Sequence, residues 1–193
     1  MVVAMVRPTA LLLLLLFSLA SLASNSDRLS QEDDVREAVF RHQFEHNASG
    51  QQKTAHAYCL AILVNDKDSD ASEQFMKRFA HHKPPVRKWS ACHWTPMQVI
   101  ENRTGKPALI FSVSKIEWIS DTEVAVGGSY EEANLSASAN AYTLKMQDGK
   151  WAVTKDQITA ISENRKVAPP RHTRATCGYD HGIMTMIERR FRL

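Results

Sequence analysis

Leu109-Ile110-Phe111-Ser112-Val113-Ser114-Lys115-Ile116-Glu117-Trp118 is the stretch on which the fold turns. Leu109, Phe111 and Val113 recur at every second position, which places three large apolar side chains on one face of a strand. The alternation then slips by one residue and resumes at Ile116 and Trp118. Such a slip predicts a β-bulge, because one extra residue returns the apolar phase to the same face. Ser120-Asp121 predicts a turn, and a second strand follows over 123–133 with Val124 and Val126 in step. Gly127-Gly128 predicts a second bulge or bend inside it. A third strand, over 136–146, carries Tyr142, Leu144 and Met146 on one face. Asp148-Gly149 is the strongest hairpin signal in the chain, since both residues tolerate the positive φ that a tight turn requires. The chain returns over 150–161 with Trp151 and Val153 inward. Four strands joined by short turns make an antiparallel meander whose apolar face needs a cover.

The cover lies upstream. Val35, Val39, Phe40 and Phe44 form a broad apolar side at helical spacing over 30–47. Ser30 is a suitable N-cap, and Glu32, Asp33 and Asp34 place negative charge where a helix dipole favours it. Residues 24–29 read as a short flexible lead. Between helix and meander, 55–64 reads as a buried strand, 65–68 as a turn and 71–81 as a short helix stopped by Pro84-Pro85. Val86 to Trp94 reads as extended. The fold class expected is α+β, an N-terminal helix on a curved antiparallel meander.

The chain opens as an exported protein does. Arg7 precedes the apolar block Ala10-Leu11-Leu12-Leu13-Leu14-Leu15-Leu16-Phe17, and the triplets Ser18-Leu19-Ala20 and Ser21-Leu22-Ala23 end it with small residues. A basic start, a short apolar core and an A-x-A-like end predict a signal peptide over 1–23, cleaved after Ala23. The apolar run is about 14 residues, short of the roughly 20 that a membrane span needs. The expected organisation is a signal at 1–23, one domain at 24–162 and a basic, disordered tail at 163–193, secreted or periplasmic. The formal charge is +3, and the tail concentrates it with Arg165, Lys166, Arg171, Arg174, Arg189, Arg190 and Arg192.

Of three cysteines, Cys59 and Cys92 lie in apolar, strand-like stretches and Cys177 lies in the tail. An oxidising compartment favours pairing. Cys59–Cys92 is the expected bridge, although three cysteines permit three single pairings.

A long N-terminal helix, smaller elements, and a meander closing on Gly149-Lys150-Trp151-Ala152-Val153 resemble the cystatin-like α+β roll of the NTF2-like superfamily. Ile116 to Val124, with that hairpin, also resembles small secreted bacterial proteins of no assigned activity. The resemblance spans about 30–162 and implies a fold. It carries over no functional residue, because the superfamily has no invariant motif and its members include enzymes, binding modules and assembly parts.

His42-Gln43-Phe44-Glu45-His46 matches H-x-x-E-H, in which two imidazoles one helical turn apart share a zinc and the carboxylate polarises water. Glu123 is the candidate third ligand. The plainer reading is that His42 and His46 edge the packed face. His81-His82, Lys83, Arg87 and Lys88 with Trp89 and Trp94 combine base and aromatic as nucleic-acid grips do. An exported chain rarely meets nucleic acid, so a solvated loop is expected and no nucleic-acid partner. Ser112 and Ser114 are expected to face outward. No nucleophile frame, P-loop or dinucleotide fingerprint is present, and no cofactor is expected. Asn47, Asn102 and Asn134 head glycosylation sequons that matter only in a eukaryotic secretory route. A pocket between helix and sheet would be lined by Tyr58, Phe111, Trp118 and Tyr142, which also read as ordinary core. The expectation is a non-catalytic module binding a small ligand or an extracellular protein, with homodimer formation open. A small hydrolase or isomerase of the same fold is the alternative, its zinc-dependent form ranked last.

Overall fold

The computed structural model describes residues 9–162 except 48, 66, 134 and 135, with the backbone alone described over 9–27. The expected tail at 163–193 and the first eight residues of the expected signal lie outside the described residues.

A single helix, α1 (Thr9–His46), opens the structure. It corrects the expected flexible lead at 24–29 and the N-cap at Ser30, both of which are helical. No proline or glycine lies between Thr9 and His46, so no residue removes an amide donor or favours a break. The Arg28 guanidinium sits 3.9 Å over the Trp118 ring and holds that turn against the sheet. Among the described residues no helix is long and apolar enough to cross a membrane.

The strands are β1 (Ala57–Val64), β2 (Lys67–Asp70), β3 (Val86–Lys88), β4 (Cys92–Trp94), β5 (Val99–Glu101), β6 (Ala108–Ser120), β7 (Glu123–Ala133), β8 (Ser136–Gln147) and β9 (Lys150–Ile161). A four-residue helix, α2 (Glu73–Met76), runs into a 3₁₀ turn at Lys77–Phe79. It starts later than the expected 71–81 because Ser72 caps it, its hydroxyl accepting from the Phe75 amide, and it gives way to the 3₁₀ turn after Met76. The extended reading of 86–94 divides into β3, a 3₁₀ turn at Trp89–Ala91, and β4.

The meander is β6-β7-β8-β9, as its turn chemistry predicts. Asp148 and Gly149 both have positive φ, 50° and 75°. The bulge falls between Val113 and Ile116, where the apolar phase slips. Ser114 secures it, its hydroxyl accepting from Gly127 N at 3.0 Å and donating to Gly127 O at 3.1 Å. Gly127-Gly128 is therefore not a bulge. Its pairing with Ala141 and Asn140 is regular, and the extra residue lies on the partner strand.

The sheet extends beyond the meander: β1 joins β6 in parallel, making a mixed sheet ordered β2-β1-β6-β7-β8-β9. Its inner face packs Leu60, Leu109, Phe111, Val113, Val124, Val126 and Leu144 against Val35, Val39, Phe40 and Phe44 of α1. The molecule is an α+β roll.

The outer face is not wholly polar. The β4-β5 hairpin covers part of it with a second small core of Ala57, Cys59, Cys92, Val99, Ala108 and Ile110. The Cys59–Cys92 disulfide lies inside this core. Ser112 faces this outer side as expected but is buried there and not solvated, its hydroxyl 2.5 Å from that of Ser129.

Glu131, on the outer side of β7, is half-buried. Desolvation, with the Asp68 carboxylate adding, pushes its carboxyl up to about 7 from 4.5. The folded chain thus holds a proton between those values that the unfolded chain releases. Stability falls as pH rises through that window. Glu131→Gln is expected to flatten the pH dependence there by roughly 1–2 kcal/mol, allowing for partial exposure. Urea unfolding at pH 4.5 and pH 7 checks this, and an unchanged slope in the variant would refute it.

Candidate functional site

A cleft of about 210 Å³ opens between the last turns of α1 and the inner face of β7, β8 and β9. It holds about seven water volumes at roughly 30 Å³ each, below the range of drug-sized sites. Most of its lining residues carry polar groups, although carbon atoms supply more of its surface: His42, Gln43, His46 and Asn47 from α1, Tyr130 from β7, Ser138, Asn140 and Tyr142 from β8, and Asp156 and Ile158 from β9.

Strand register puts these groups together. Tyr142 pairs with Asp156 and Asn140 with Ile158. A register shift between Thr143 and Leu144 leaves Thr154 as an extra residue on β9, and its hydroxyl donates to Thr143 O at 3.2 Å. Before the shift, Trp151 and Val153 oppose Met146 and Leu144. Without it, Lys155 would point inward. With it, Asp156 does.

Four side chains then form a hydrogen-bonded row. Ser138 Oγ donates to Asn140 Oδ1 at 2.8 Å, and Asn140 Nδ2 donates to Asp156 Oδ1 at 2.5 Å. His42 Nε2 lies 2.9 Å from Asp156 Oδ2. A carboxylate only accepts, so His42 Nε2 carries a proton. His46 Nδ1 donates to the His42 carbonyl at 3.1 Å. The two imidazoles stack with centroids 4.4 Å apart, and Tyr142 meets His42 edge-on at 5.6 Å. Burial raises the Tyr142 phenol above its ordinary pKa, and the Asp156 charge adds to this. The phenol is therefore a protonated donor at neutral pH.

Gln43 is the most buried residue of the lining, only 3% exposed. Its Nε2 donates to Ser112 O and Ser129 O, each at 3.2 Å, while its buried Oε1 has no partner. The amide lies directly over Gly128. A Cβ there would stand 2.7 Å from Gln43 Nε2, 2.9 Å from Ser112 O and 3.0 Å from Tyr142 Cε2. One of these contacts is backbone, so the sheet itself must give. Gly128→Ala is expected to lower stability by about 1–3 kcal/mol and to displace Gln43. Thermal unfolding with side-chain amide NMR checks this. A melting point within a degree of wild type would contradict it.

Glu132 anchors the segment beyond α1. Its buried carboxylate accepts from the hydroxyls of Ser49 and Ser136 and from Gln51 N at 3.2 Å.

Of the candidates read from the sequence, His42, His46 and Tyr142 share the cleft. Glu123 does not join the histidines. It begins β7, beside Lys145 Nζ at 3.4 Å. Among the described residues, no three His, Cys, Asp or Glu side chains gather as a metal set. Tyr58 and Phe111 lie in the aromatic core with Phe44, with ring centroids 5.0 and 5.1 Å from it. Trp118 packs edge-on against Trp151 at 5.6 Å. His82 packs at a tilt on Phe44, with centroids 4.7 Å apart, and bonds to Pro84 O. Lys88 pairs with Glu73, and Arg87 approaches Glu101. Asp156, Asn140, Ser138 and Gln43 were not singled out from the sequence. Comparison with protein-family models, curated proteins and solved structures finds no match to the chain.

Proposed function

We propose that the mature protein, released by cleavage after Ala23, is a secreted or periplasmic binding module of NTF2-like, cystatin-like type. Its α1–β8–β9 cleft takes a small ligand without turning it over. The observation that carries this reading is the row Ser138–Asn140–Asp156–His42, held by hydrogen bonds at the mouth of a cleft. Holding four polar side chains in one geometry opposes their rotamer entropy. Such a row beside open space is positioned for recognition. The disulfide is compatible with an oxidising compartment.

One observation favours a second reading. His42 braced by a carboxylate, with the Tyr142 phenol beside it, is an acid–base arrangement suited to a small hydrolase or isomerase. Binding and turnover separate in one experiment. A small-molecule fragment library is screened by NMR against the mature chain and His42→Ala. Hits are expected to shift Asn140, Tyr142 and Ile158 resonances and to weaken about tenfold in the variant, with recovered ligand unchanged. Hits clustered elsewhere would overturn the cleft reading, and chemical conversion of a hit would replace binding by catalysis.

A further inference from the structure

We infer that the cleft ligand is a small cation of the ammonium or amidinium class with a short apolar body; this rests on the small-ligand reading above. Three independent features select that chemistry. The first is formal charge. The lining contains one carboxylate, Asp156, and no lysine or arginine. The second is hydrogen-bond polarity. Asp156 spends one lone pair of each oxygen, on His42 and on Asn140. A carboxylate has about four acceptor sites, so each oxygen can take another donor. Ser138 and Asn140 already donate within the row, while the Tyr130 and Tyr142 hydroxyls can accept as well as donate. The third is the helix end. The cleft lies against the last turns of α1. The carbonyl end of a helix carries about half a negative charge and favours cations.

The non-polar parts fit the same guest. Tyr130 and Tyr142 bring aromatic rings to the lining, the side-chain type that makes cation–π contacts. Ile158 lines the cleft and is 55% exposed, giving an alkyl or aryl group a place at the mouth. Ile161, opposite Ser138 and 61% exposed, continues that strip. An anion would meet a carboxylate and a helix C-terminus with no fixed cation to receive it.

The test uses the mature chain and three probes of similar size: butylammonium, butyrate and butyramide. Each is titrated at pH 7.5 while the His42, Asn140, Tyr142 and Ile158 resonances are followed. Butylammonium is expected to bind saturably and at least about fivefold more tightly than either other probe. Asp156→Asn keeps the size of the group and is expected to weaken the cation at least about tenfold. Since that variant alters the hydrogen-bonded row, Ile158→Lys supplies a second arm. It places a positive charge at an exposed mouth position, and it should weaken butylammonium and strengthen butyrate. Equal or tighter binding of butyrate or butyramide to wild type overturns the cation assignment and leaves the small-ligand reading standing. So does cation binding unaffected by both variants. No shift at the cleft with any probe or fragment removes both.

Discussion

Phe40→Ala is expected to lower the unfolding free energy by about 3–5 kcal/mol, the range for deleting a fully buried aromatic ring. Phe40 is fully buried, and three rings surround it: Phe44, Phe75 and Phe79, at 6.4, 6.0 and 6.3 Å. The last two belong to α2 and the turn after it, so Phe40 ties that short element to α1. Polar contacts cannot replace it. Arg78 pairs with Asp34 and Glu37 across the same junction, but these side chains are partly solvated and such pairs contribute about 1 kcal/mol or less. A domain of this size has about 5–15 kcal/mol in total, so the variant is marginal. Urea denaturation followed by tryptophan fluorescence checks it, with Phe40→Leu as a control expected to lose less than half as much. A loss under 1 kcal/mol for Phe40→Ala would mean that the core closes around the gap, and would refute the role assigned to this ring.

The parts of the fold that were legible have local causes. The slip between Val113 and Ile116 shows because large apolar residues stand on both sides of it. Asp148-Gly149 shows because few residue pairs tolerate two positive φ values. The inner side of α1 shows because Val35, Val39, Phe40 and Phe44 share one period. The bulge at Thr154 has the same geometry but no such signal, because its neighbours Lys155, Asp156 and Gln157 are all polar. It is this bulge that turns Asp156 toward His42, 114 positions away. The row at the cleft was therefore hidden by a phase change that hydropathy cannot report. The parallel pairing of β1 with β6 was hidden for another reason: no local propensity distinguishes it from an antiparallel neighbour. Ser112 looked solvent-facing because the β4-β5 cover comes from three-residue strands too short to read.

Removing the disulfide is expected to have an effect as large as losing Phe40, but in another place. Cys59 and Cys92 are separated by 33 residues. The chain-entropy relation gives about 4 kcal/mol for closing a loop of that length. The second core that the bridge crosses is small: Ala57, Val99, Ala108 and Ile110, with Trp89 and Trp94 only partly buried against it. Small cores of this kind depend on covalent staples. The β4-β5 hairpin is held to the sheet chiefly through them, whereas the inner core and the cleft are built by other residues. A Cys59→Ala, Cys92→Ala chain is therefore expected to lose about 3–4 kcal/mol of global stability and to exchange amide hydrogens faster over 89–101. The Asn140 and Tyr142 resonances should stay in place. The oxidised mature chain, having three cysteines in all, should titrate one free thiol after denaturation. Three free thiols would refute the bridge outright. A stability loss with cleft resonances displaced would show instead that the outer core supports the binding site through β6 and β7, making the two faces of the sheet a single cooperative unit.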